Sequence, residues 1–275
     1  MEATIQSCKK VVFVTGMGHS GTTLLGMMLG AGKENLYGGE MVNSQFLKDE
    51  TVPLAKRTCR TCGVECPIWN TITIEGNVYE VLSKKTGKSV IIDSSKKPLS
   101  WIEEQLPNLT DCKPALVILI RDSRAIIASK LRRHPYKGPR KFAREWSEQM
   151  KACDTLALSF PGPVVRVMYE ELAALPEKTL RTVCDQIGIP FEEAMLDPWD
   201  AGHHPLRGNK GTQSISNGTG RHLPGPDRQY YESHPRAIVL DERWQSELNE
   251  DALKIIERET GEQYGAYMSA YGTPV

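Results

Sequence analysis

The chain has 275 residues, and its 34 lysines and arginines balance 34 aspartates and glutamates, so the formal net charge is zero. That balance excludes a globally basic nucleic-acid binder or a charge-driven membrane binder, and any affinity for anions must be built locally. No apolar run approaches the roughly 20 residues of a membrane span, and the first ten residues lack the apolar core of a signal peptide, so a cytoplasmic protein with no membrane span is expected.

Val11-Val12-Phe13-Val14 is a continuous apolar run, the pattern of a strand buried on both faces. A glycine-rich turn follows, and residues 22–29 read as a helix. A short apolar stretch before Gly38-Gly39-Glu40 predicts a second strand. Further buried strands are expected at 90–92, 116–120 and 164–168, with helices at 124–132 and 177–187, the latter stopped by Gly188. Phe142, Trp146 and Met150 form one helical stripe, and Trp244, Leu248, Leu253 and Ile256 predict a C-terminal core helix. Alternating strands and helices indicate a three-layer α/β/α fold with a central parallel sheet. One domain over 1–275 is expected, interrupted by a cysteine-rich insertion near 59–69 and a glycine-rich loop at 208–225. Such sheets bind ligands beyond the carboxyl ends of their strands.

The segment Thr15-Gly16-Met17-Gly18-His19-Ser20-Gly21-Thr22-Thr23 lies between a strand and a helix, where glycines bring backbone N–H groups close to an anion. Ser20, Thr22 and Thr23 add hydroxyls. Gly16 and Gly21 have the spacing of a nucleotide-hydrolysing P-loop, but Thr22 stands where that loop carries lysine. The loop suits a phosphate-like group and disfavours triphosphate chemistry.

His19-Ser20-Gly21-Thr22 resembles the 5′-phosphosulfate loop of the sulfotransferases that use 3′-phosphoadenosine 5′-phosphosulfate (PAPS), with histidine in the basic position. Leu116 through Ser129 is similar to that family's 3′-phosphate motif, which places Arg121 and Ser129 on the phosphate. Tyr169-Glu170-Glu171-Leu172 is similar to its adenine-contacting element, and Arg207-Gly208-Asn209 to its late closing loop. The resemblance implies a P-loop-like sulfotransferase fold, PAPS as co-substrate with PAP as product, and no metal in the transfer. It implies donor binding by Gly18, His19, Ser20, Gly21, Thr22, Thr23, Arg121, Ser129, Tyr169, Arg207, Gly208 and Asn209. Glu40 would be the base, as in the tyrosylprotein branch, and Lys96 (or Lys97) with His19 would steady the transferring group. The implied acceptor is a hydroxyl or amine on a small molecule, glycan, lipid or peptide. The alternative is a Mg²⁺-dependent phosphotransferase or nucleotide hydrolase, with Asp93 as a Walker B strand end.

Cys59, Cys62 and Cys66 leave reduced structural thiols, zinc or a disulfide open; no fourth ligand stands nearby, and no metal is assigned. Lys130, Arg132, Arg133, Lys137, Arg140, Lys141 and Arg144 read as a solvated helix face, without the interleaved aromatics that single-stranded nucleic acid requires.

Overall fold

The computed structural model describes residues 7–216, 227–234 and 236–272. Five parallel strands, β1 (Lys10–Gly16), β2 (Asn35–Gly39), β3 (Val90–Asp93), β4 (Lys113–Ile120) and β5 (Val164–Met168), stand in the order β2-β3-β1-β4-β5. The central strand shows why the sheet is apolar on both sides. Val11 and Phe13 enter one core, and Val12 and Val14 enter the other, because side chains alternate across a pleat. The first core lies under the helices Val78–Thr86, Pro139–Ser159 and Glu250–Tyr271; the second lies under Thr22–Gly30 and Pro176–Ile187.

Local signals set the helix limits. Asn77 accepts from the amides of Tyr79 and Glu80, and Gly87 closes that helix at φ 69°. Asp122 caps the helix Ser123–Arg133 through the Arg124 amide. The single C-terminal helix expected from the Trp244–Ile256 stripe is instead two helices, Trp244–Glu247 and Glu250–Tyr271. Asn249 ends the continuity by accepting from the Ala252 amide, so it is an N-cap rather than a helix interior. The expected glycine-rich loop at 208–225 holds a helix at Lys210–Ser216, and its residues 217–225 lie outside the described residues.

The chain leaves β1 toward β2 on one side, and β4 and β5 lie on the other. β1 and β4 thus flank the point where the winding reverses, which is where open α/β sheets form a crevice. The candidate residues follow strand ends directly: the glycine loop after Gly16, Glu40 after Gly39, Lys96 shortly after Asp93, Arg121 after Ile120 and Tyr169 after Met168.

A candidate active site at the sheet edge

The glycine loop is shaped by close approach. At Gly16, φ is +143° and a Cβ would lie 2.4 Å from the Leu119 carbonyl oxygen of β4. At Gly21, φ is +100° and a Cβ would lie 2.7 Å from the Tyr169 ring. Between them His19 adopts φ 76°, a left-handed conformation that costs a non-glycine residue about 1–2 kcal/mol. Two bonds hold it there. Its carbonyl accepts from Arg121 Nη1 at 3.0 Å, and its Nδ1 shares a hydrogen bond with Ser129 Oγ at 2.9 Å. Three residues far apart in the chain therefore form one network.

Gly18, His19, Gly21, Thr22, Thr23, Glu40, Lys96, Arg121, Ser129, Tyr169, Gly208 and Asn209 all line one cleft of about 250 Å³. Ser20 does not. Its amide donates to the Met17 carbonyl, and its buried hydroxyl has no partner among the described residues, so it shapes the turn instead of facing the cleft. Arg207, also in a left-handed conformation at φ 60°, is not part of the wall, and its Nε lies 3.9 Å from Glu40 Oε2. The Asn209 amide donates to Thr23 Oγ1 at 2.9 Å, tying the late loop to the first helix.

Burial, aided by the positive charges of Arg133 and Lys130, lowers the His19 pKa from the usual 6.5 to about 3. The basic position suggested by sequence is thus occupied, in the protein alone, by a neutral imidazole at pH 7. The unfolded chain binds this proton near pH 6.5 while the folded chain refuses it until about 3. Stability contributed by neutral His19 is therefore lost as pH falls below 6.5, by up to about 1.4 kcal/mol per pH unit. His19→Asn, which tolerates left-handed backbone, should make the loss between pH 6.5 and 5 shallower in urea titrations; parallel slopes for the two proteins would contradict this.

Arg121 packs flat on Tyr169, its Cζ 4.2 Å from the ring centroid, and its Nη2 donates to the Asp241 carbonyl at 3.2 Å. The Tyr169 hydroxyl donates to the Val239 carbonyl at 2.8 Å. Across the cleft, Lys96 Nζ and Glu40 Oε1 form an ion pair at 2.6 Å. Lys97 is exposed, which leaves Lys96 as the lysine in the wall.

Asp93 sits beneath this pair and is fully buried. Its Oδ1 accepts from the Met41 amide, the Ser95 amide and the Ser95 hydroxyl, and its Oδ2 from the Tyr79 hydroxyl and the Trp101 indole. Five donors leave no lone pair for a Mg²⁺ ion, so the Walker B reading of Asp93 fails. The carboxylate instead fixes the neighbours of Glu40 and Lys96 in one place. Asp93→Asn turns an acceptor into a donor facing donors. It should cost about 1–3 kcal/mol, read from the urea midpoint, and an unchanged midpoint would refute that positioning role.

Sequence reasoning did not reach the far wall, where Arg133, Asp227, Tyr230, Asp241 and Arg243 line the cleft. Arg243 stacks 3.7 Å from the Tyr230 centroid and holds Asp241 at 2.7 Å. The solvated-face reading of the basic run holds for Lys137, Arg140, Lys141 and Arg144, which are exposed. It is corrected for Lys130 and Arg132, which are largely buried, and for Arg133, which lines the cleft. Arg132 and Arg133 both bind Asp227 at 3.0 Å, Lys130 pairs with Glu145 at 2.5 Å, and Arg140 and Arg144 engage Glu259. Only the arginine-rich composition hinted at this wall, since its acidic partners stand about a hundred residues away, in segments without a motif.

A five-stranded parallel sheet flanked by helices, with a glycine loop after β1 and an arginine after β4 lining one cleft, defines a P-loop-like α/β fold. Residues 11–193 match the Sulfotransferase family, and the chain belongs to that family. It is 25% identical over 215 residues to a Caenorhabditis briggsae protein described as "Putative protein-tyrosine sulfotransferase", covering 74% of this chain and 72% of that one. The fold resembles the sulfotransferase domain from the curacin biosynthetic pathway, with TM-score 0.58 and 16% identity over 94% of this chain and 99% of that one. It also resembles the sulfotransferase domain of the Synechococcus PCC 7002 olefin synthase, with TM-score 0.56 and 19% identity over 100% of this chain and 99% of that one. Among the described residues no helix is long and apolar enough to cross a membrane.

Proposed function

We propose that the protein transfers a sulfuryl group from PAPS to a hydroxyl or amine acceptor by in-line displacement. One observation carries this reading: His19 joins the glycine loop to Arg121 and Ser129 around a single cleft that also contains Glu40 and Lys96. PAPS carries a phosphosulfate on the 5′ oxygen and a phosphate on the 3′ oxygen of one ribose, so it needs two anionic sites about a ribose apart. Backbone N–H groups of Gly18, His19, Gly21, Thr22 and Thr23, with the hydroxyls of Thr22 and Thr23, suit the phosphosulfate. The planar fork of Arg121 and the Ser129 hydroxyl suit the 3′-phosphate. The Tyr169 ring flanks the base, and Gly208 and Asn209 close the loop side.

In the transfer, Glu40 takes the proton from the acceptor as the acceptor's oxygen or nitrogen forms its bond to sulfur. The bond between sulfur and the bridging phosphate oxygen breaks, and PAP leaves with that electron pair. Lys96 offsets the charge growing on the bridging oxygen, and His19 supplies a hydrogen bond there. At rest Glu40 is engaged by Lys96, so seating the reactants means parting these two side chains. Holding donor and acceptor in line supplies the remainder of the rate.

Incubation with ³⁵S-labelled PAPS and a pooled metabolite extract tests the reading, with tyrosine-containing peptides as a second acceptor set because of the name given to the C. briggsae relative. Labelled product is expected, at a rate that added Mg²⁺ leaves unchanged. An absolute Mg²⁺ requirement would favour phosphotransfer, and failure to bind PAP would remove the proposal.

A further inference from the structure

The cysteine-rich segment has no helix or strand of its own between Arg57 and Val78, yet Cys59 and Cys66 are only 3% and 1% exposed. The sequence offered three thiols and no fourth ligand. In the fold, His204 arrives from 138 residues beyond Cys66. Its Nδ1 lies 3.3 Å from Cys62 Sγ, 3.6 Å from Cys66 Sγ and 4.0 Å from Cys59 Sγ, and the four ligand atoms all lie within 4.8 Å of one another. Tetrahedral zinc with its usual bond lengths separates sulfur from nitrogen by about 3.6 Å and sulfur from sulfur by about 3.8 Å. Such a cage fits one ion.

The local backbone has the form of a metal-binding turn. Gly63 takes φ +66° and donates its amide back to the Cys59 carbonyl at 3.0 Å. The Thr61 amide points at Cys59 Sγ at 3.4 Å, a donor that suits a thiolate. The histidine segment is held just as firmly. The His204 carbonyl accepts from Trp69 Nε1, the His203 carbonyl from Thr61 Oγ1 at 2.7 Å, and the Pro205 carbonyl from the Arg60 amide at 2.9 Å. Two stretches with little core of their own thus converge on one point, which a metal cross-link stabilises.

We propose that Cys59, Cys62, Cys66 and His204 bind one structural Zn²⁺ ion. This replaces the sequence expectation of no metal. Three thiolates and an imidazole match zinc's preference, and four protein ligands close the coordination sphere, so the ion has no open position for catalysis.

The knot also has a reach. Leu206, two residues past His204, bridges both Cys59 and Gly39. The Glu40 amide donates to the Leu206 carbonyl at 2.6 Å, and the Leu206 amide to the Gly38 carbonyl at 2.9 Å. Zinc therefore fixes the backbone on which Glu40 is mounted, a consequence for turnover that rests on the proposed function, whereas the metal site itself does not.

Wild-type protein made in zinc-supplemented medium and purified without chelator should contain about one zinc per chain by mass spectrometry of the metal. Anaerobic exchange with Co²⁺ should give thiolate-to-cobalt charge-transfer bands and tetrahedral d–d bands. His204→Cys should keep the metal and strengthen the charge-transfer bands, and Cys62→Ser with Cys66→Ser should lose metal. Stripping zinc should lower the melting temperature and abolish hydrogen-exchange protection of the Glu40 and Leu206 amides, while β1 and β4 amides stay protected. Metal-free wild type with no cobalt spectrum, or a disulfide between any two of the three cysteines in freshly purified protein, would overturn the site. Unchanged exchange at Glu40 after zinc removal would overturn the link to the catalytic cleft.

Discussion

Glu40→Gln should lower kcat by about 10²–10⁴-fold, the range in which a positioned general base contributes. Glutamine keeps the shape and can still meet Lys96 Nζ, which lies 2.6 Å from Glu40 Oε1. What it lacks is any ability to accept the acceptor's proton. The donor's KM should change little, because the proposed 3′-phosphate contacts are made by Arg121 and Ser129 and not by Glu40. Glu40→Asp should recover part of the rate at the expense of geometry. Initial rates over a range of both substrates separate these effects, and a Glu40→Gln enzyme within a few-fold of wild-type kcat would eliminate Glu40 as the base.

Arg121→Ala should weaken PAP binding by about 10²–10³-fold, since truncating one partner of a buried charged pair typically costs 2–5 kcal/mol. The guanidinium is 9% exposed, lies on Tyr169, and donates to the His19 carbonyl, so the loss has two components. One is the direct grip on phosphate. The other is release of the strained His19 backbone at φ 76°. Arg121→Lys keeps the charge and discards the planar fork, so it should remain well below wild type. Calorimetric titration with PAP and with 5′-AMP isolates the direct component. Wild type should strongly prefer PAP, whereas Arg121→Ala should bind both alike; undiminished preference in the variant would end the assignment of the 3′-phosphate.

The sheet was legible because parallel strands buried on both faces are written as unbroken apolar runs; 164–168 was read with the limits that β5 has. Strand order was not, because neighbours in a parallel sheet are chosen by crossovers whose packing involves the whole chain. The cleft was legible where chemistry sits within a few residues of a strand end, as with Thr22, Glu40, Lys96 and Arg121. It was illegible where contacts are long-range. His204 joins Cys66 across 138 residues, and Asp227 joins Arg132 across 95, with no local pattern to announce either. Ser20 is a different case: its residue type suits an anion, while in the turn its hydroxyl is buried. The charge of His19 depends on burial, which a string of letters does not contain.

The cleft satisfies its own charges before any ligand arrives: Lys96 on Glu40 at 2.6 Å, Arg133 on Asp227 at 3.0 Å and Arg243 on Asp241 at 2.7 Å. It therefore operates like an ion-exchange resin loaded with built-in counterions. An incoming anion gains only the difference between its own attraction and that of the carboxylate it dislodges. Simple monovalent salts compete poorly under such terms, while a molecule presenting two highly charged groups dislodges several carboxylates in one event.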